Sequence, residues 1–76
     1  MNDQKTKTLN ISNFALNLYW ILDEKGITVE DFAEKVGVSS RLVYYWESGK
    51  KFPSLEMAIV ISNVLEVGLD SILSER

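Results

Sequence analysis

The chain has 76 residues, a net charge of −3, 46% apolar residues, and neither cysteine nor histidine. That length allows one domain with a small core, and the apolar content is that of a globular chain, not a disordered one. The missing residue types exclude a disulfide framework, a thiolate metal site, a cysteine nucleophile and histidine general-base chemistry.

Residues 1–9 are polar, without an apolar period, and are expected to form a flexible N-terminal arm. Its Lys5 and Lys7 are expected in a solvated tail, with contact to a phosphate backbone the alternative. The start Met1-Asn2-Asp3-Gln4-Lys5 has no signal-peptide pattern, and no apolar run approaches the ~18 residues of a membrane span, so a cytoplasmic protein is expected. The folded domain is expected over 10–76.

Asn10 or Ser12 can cap a first helix running to about Lys25. Ile11, Phe14, Leu18, Ile21 and Leu22 form its apolar stripe, and Ala15, Leu16, Tyr19 and Trp20 widen it. A surface helix needs only a stripe. Burial of the surplus within the monomer is expected first, with Tyr and Trp lying along a core edge with their polar tips wet, and a partner surface is the alternative. Asn17 is the only polar residue from Phe14 to Leu22.

Gly26 ends this helix, Ile27 enters the core, and Thr28 caps a second helix to Val36. Asp31 can reach back in capping-box manner, and Glu30, Asp31 and Glu34 suit the positive end of the helix. Phe32, Ala33 and Val36 face inward, with Val29 at the same spacing. A turn at Gly37 leads to a third helix, capped by Ser39 and stopped by Gly49. Val43 and Trp46 mark its inner face, and Ser40, Arg41, Tyr44 and Tyr45 its outer face. Two short helices joined through a glycine turn define a helix-turn-helix, whose second helix enters the DNA major groove.

Lys50, Lys51, Phe52 and Pro53 make a basic connector, Ser54 caps a fourth helix from Leu55 to about Leu65, and Gly68 precedes a fifth from Leu69 to about Ser74. The basic connector matters because the body is acidic. Between Val38 and Pro53 stand Arg41, Lys50 and Lys51 against Glu47 alone. A locally basic face on an acidic body binds DNA by short-range contacts more than by long-range attraction. Carboxylate pairs such as Glu30 and Glu34 read as a solvated helix face, and no metal-binding or catalytic cluster has the required spacing. No enzyme activity, cofactor or metal is expected.

The ordered run Gly26-Ile27-Thr28, Phe32-Ala33, Val36-Gly37-Val38-Ser39, Val43, Trp46-Glu47-Ser48-Gly49-Lys50-Lys51, Pro53-Ser54-Leu55 and Leu69-Asp70-Ser71-Ile72-Leu73 resembles the Cro/phage-repressor (xenobiotic-response-element) helix-turn-helix family over about residues 12–73. The resemblance implies an all-α, compact five-helix domain (lambda-repressor-like). It also implies a DNA-binding transcriptional regulator, usually a repressor and commonly a homodimer. The family's base-reading positions fall on Ser40, Arg41, Tyr44 and Tyr45, and phosphate contacts on Thr28, Ser39, Lys50 and Lys51.

Two positions depart from the pattern. Val29 stands where members usually carry a phosphate-clamping Gln, and Leu22 where many carry an Arg that pairs with the glutamate here numbered Glu47. The alternative expectation is a protein-binding module on the same fold, antitoxin-like, anti-repressor or adaptor. Val29, Leu42, Tyr44, Tyr45 and Trp20 would then meet the partner.

Overall fold

The computed structural model describes residues 9–75. Lys5, Lys7 and the rest of the first eight residues lie outside them. A 3-10 turn, Ile11–Asn13, leads into α1, Phe14–Lys25. There follow α2, Val29–Val36; α3, Ser40–Ser48; α4, Leu55–Leu65; and α5, Leu69–Leu73. The five expected helices are all present.

The caps explain the boundaries. Thr28, Ser39 and Ser54 each accept from the backbone N–H three residues on, at 3.1 Å, and so satisfy one free donor of α2, α3 and α4. Of the two candidate first caps, Asn10 is used: its side chain accepts from the Ser12 N–H at 2.9 Å and starts the 3-10 turn. Four helices end alike. Gly26, Gly37, Gly49 and Glu66 are left-handed, and the next residue's N–H returns five residues, as Ile27 to Leu22, Val38 to Ala33 and Val67 to Ser62 at 3.0 Å. Glu66 is the exception in kind, a non-glycine residue at φ 58°. Glu66→Gly is therefore expected to stabilise the domain by about 0.5–1 kcal/mol, read as a higher urea midpoint with unchanged m.

The core is one cluster. Phe14, Leu18, Ile21 and Leu22 of α1 meet Phe32 and Ala33 of α2, Val43 and Trp46 of α3, Ala58, Ile61 and Leu65 of α4, and Ile72 of α5. The Phe14 ring stands edge-on to Trp46, with centroids 6.0 Å apart. This places α3 against α1 with its inner face locked and its outer face open.

Two expectations fail at α1. Ile11 is exposed, because the chain there is a 3-10 turn and not the first turn of the helix. Leu16, Tyr19 and Trp20 are also exposed, Trp20 at 41%, and are not buried within the monomer. A helix in so small a domain turns only one side to the core. The Tyr19 and Trp20 rings pack edge-on to each other at 5.4 Å instead.

Asn17 has a role its sequence position conceals. It is 1% exposed, and its Nδ2 donates to the Ser74 carbonyl at 2.8 Å. Asn13, one turn earlier, donates to the Leu73 carbonyl at 2.8 Å, as does the Asn10 N–H. The carbonyls at the end of α5, which no helical N–H can reach, are thus satisfied by α1 and the segment before it. Leu9, placed by its sequence in the arm, forms an isolated antiparallel bridge with Ser74.

Candidate nucleic-acid interface

At 3.6 residues per turn, Val43 and Trp46 point α3 into the core, and Ser40, Arg41, Tyr44, Tyr45 and Ser48 fall on the opposite side. Arg41, Tyr44 and Ser48 are exposed, and Ser40 and Tyr45 are half-buried. The glycine turns at both ends keep this face clear, since Gly37 and Gly49 let the chain reverse within a residue or two.

The two edges of the face differ in charge. At one edge stands the Tyr45 ring. Arg41 Cζ lies 6.0 Å from its centroid, Lys50 Nζ 5.9 Å and Lys51 Nζ 5.2 Å. All three cations are within the range of ring attraction. The C-terminal turn of α3 makes this possible: the Lys50 and Lys51 N–H groups both return to the Tyr45 carbonyl, at 3.0 and 3.3 Å. The fold thus gathers four of the expected contact residues, Arg41, Tyr45, Lys50 and Lys51, into one cluster. Three like charges around a neutral ring repel one another, and a phosphate backbone relieves that repulsion.

At the other edge Tyr44 donates through its hydroxyl to Glu30 Oε2 of α2 at 3.2 Å. That hydrogen bond, followed by the charge of Glu30, holds the phenol above its ordinary pKa, so it stays protonated at neutral pH. This edge is acidic. The first turn of α2 carries Glu30 and Asp31, so a phosphate at Thr28 meets two carboxylates; the first turn of α3 carries none. Of the two caps expected at phosphates, Ser39 therefore has the surroundings less repulsive to an anion. Its oxygen accepts from the Leu42 N–H, which leaves its hydroxyl proton to donate.

Leu22 and Val29 also find their places. Leu22 is buried among the core side chains, and Val29 is half-buried against them. Glu47 is half-buried with no hydrogen-bond or ion-pair partner among the described residues, and burial holds its carboxyl above the ordinary value. A raised folded-state value means that its ionisation works against folding. Stability from this group is full below the ordinary carboxylate pKa and declines as pH rises to the folded-state value.

Two capped helices joined by a glycine turn, the second with a locked inner face and a charged, aromatic outer face, define the helix-turn-helix class. The chain belongs to the Helix-turn-helix family, whose model matches residues 18–72. It is similar to the HTH-type transcriptional activator BcrR of Enterococcus faecalis, at 40% identity over 50 residues, which are 66% of this chain and 24% of that protein. It is also similar to YqaE of Bacillus subtilis (strain 168), an uncharacterized HTH-type transcriptional regulator, at 33% identity over 60 residues, 79% of this chain and 52% of that one. Among solved structures, a transcriptional regulator from Listeria innocua superposes with a TM-score of 0.73 at 30% identity, covering 79% of this chain and 56% of that one. The matches thus span about a quarter and about half the length of these curated relatives. The expected family and the expected five-helix fold are both borne out.

Proposed function

We propose that this chain is a sequence-specific DNA-binding transcriptional regulator that reads the major groove with α3 and works as a homodimer. The observation that carries the reading is the convergence of Arg41, Lys50 and Lys51 on Tyr45 at the open face of α3. Both curated relatives are named HTH-type transcriptional regulators or activators, which supports the same reading. Arg41 takes the role of base reader, since its planar fork matches the O6 and N7 of guanine. Ser40 and Tyr45 flank it. Lys50, Lys51 and Ser39 hold phosphates, with Thr28 a weaker fourth contact.

A dimer needs a self-complementary surface. Leu55 and Ile59, one turn apart on α4, are exposed apolar side chains, as is Phe52 in the connector before it, with Leu55 66% exposed. Such a dimer places two α3 helices about one DNA turn apart and selects a near-palindrome. It represses by occupying a promoter that overlaps its operator. Its place of action is the cytoplasm, and no catalysis belongs to this reading. Among the described residues no helix is long and apolar enough to cross a membrane.

The test is selection from a randomised duplex pool at about 50 and 200 mM salt. The expected result is a near-palindrome whose recovery falls steeply with salt, since each phosphate contact contributes a slope of about −0.9. No retention at either salt overturns the reading.

A second reading, a protein-binding module, is favoured by one observation. Tyr19 and Trp20 follow Leu16 by three and four residues on the exposed side of α1. Tyr44 and Tyr45 add aromatic surface at α3. Under this reading Tyr45→Ala abolishes partner binding, and Arg41→Ala has no effect on DNA.

A further inference from the structure

We propose that Tyr44 reads an amino group on a base edge, the N4 amine of cytosine or the N6 amine of adenine, because Glu30 engages its hydroxyl proton. The inference rests on the DNA-reading role of α3 argued above and specifies what one position of that face recognises. Tyr44 is 50% exposed on the outer face of α3, three residues after Arg41 and four after Ser40, so the three side chains are neighbours. A phenol has one hydrogen to give and two lone pairs to offer. Here the hydrogen goes to Glu30 Oε2 at 3.2 Å, and an ionised carboxylate can only accept. Toward DNA the hydroxyl is left as an acceptor.

The major groove sorts bases by this property. Guanine shows N7 and O6, both acceptors, and thymine shows the O4 acceptor and a methyl group. Only cytosine N4 and adenine N6 donate. An acceptor-only hydroxyl therefore pairs with cytosine or adenine on the strand it faces and leaves guanine and thymine unpaired. Phosphate oxygens also only accept, so the same geometry turns Tyr44 away from the backbone, and the Glu30 charge beside it repels phosphate. Arg41 is the converse, a donor without an acceptor. The face of α3 thus offers donors at Arg41 and an acceptor at Tyr44, which selects a guanine and an amino-bearing base in neighbouring positions.

The experiment applies duplex selection to the full chain, to Tyr44→Phe and to Glu30→Gln. Both positions are exposed, so both variants keep the fold, which circular dichroism checks. The wild type is expected to require adenine or cytosine at one position of each half-site. Tyr44→Phe is expected to lose that requirement, by about tenfold in relative affinity, and no other. Glu30→Gln, whose amide can donate as well as accept, frees the hydroxyl proton and is expected to admit guanine or thymine there. Replacing the amine of that base by hydrogen leaves the protein untouched; it should weaken the wild type about tenfold and Tyr44→Phe not at all. A selected site whose base preferences are unchanged in Tyr44→Phe, or one that requires guanine or thymine at the position Tyr44→Phe relaxes, overturns the inference while the DNA reading stands. Retention of no duplex by the wild type overturns both.

Discussion

Trp46→Ala is expected to remove about 3–5 kcal/mol of folding free energy. Trp46 is among the largest fully buried side chains, and its ring joins α3 to Phe14 of α1. A chain of 76 residues has roughly 4–11 kcal/mol in total at 0.05–0.15 kcal/mol per residue, so the variant keeps little of it. The expected fall in Tm is at least about 12 °C, followed by circular dichroism. Trp46→Phe, which keeps a ring against Phe14, is expected to cost less, about 1–2 kcal/mol. The consequence reaches the interface. With α3 no longer held, the cations around Tyr45 lose the turn that assembles them, and DNA binding falls with stability. A loss under about 1 kcal/mol for Trp46→Ala contradicts the place given to this ring in the core.

The second expected result separates base reading from backbone holding. On a selected operator, Arg41→Ala should cost about 1–3 kcal/mol and relax one base position, because a bidentate contact to guanine is lost. Lys50→Ala and Lys51→Ala should weaken binding to all duplexes alike and lower the slope of log K against log salt by about 0.9 each. Their combination should be close to additive in slope, since each removes its own phosphate contact. Isothermal titration at three salt concentrations distinguishes the two patterns. Loss of base preference in the lysine variants, with an unchanged slope, would reverse the roles assigned here.

The features legible in the sequence are those set by neighbours along the chain. Thr28, Ser39 and Ser54 cap their own helices three residues on, and Gly26, Gly37 and Gly49 take left-handed angles at their own positions. A side chain that bonds its own turn needs no tertiary partner, so its residue type and spacing are enough. The same holds for the inner faces of α2 and α3, where Phe32, Ala33, Val43 and Trp46 recur at helical spacing and are all buried. One local signal was absent, although the helix ends at Leu65 as expected. Glu66 ends α4 in the conformation that glycine favours, and its residue type carries no mark of this.

Of the interface, the membership of the outer face of α3 followed from periodicity, and the grouping of its charges did not. That Lys50 and Lys51 turn back over Tyr45 depends on the path of the chain after Gly49. That Tyr44 gives its proton to Glu30 depends on how α2 and α3 cross, across 14 positions of sequence. Asn17 shows the same limit over a longer span. A polar residue inside an apolar stripe reads as a flaw until the carbonyl of Ser74, 57 positions away, is brought to it. Leu16, Tyr19 and Trp20 read as core and are surface, because the sequence lists apolar positions without stating how many sides of α1 have neighbours. By itself, then, the sequence determined the helices, the caps at Thr28, Ser39 and Ser54, the glycine ends, the family and the side of α3 that faces outward, all through interactions within a few residues. The tertiary structure alone decided which edge of that face is basic, what Tyr44 can offer to a base and which α1 residues stay exposed, because these depend on contacts between segments that only packing brings together.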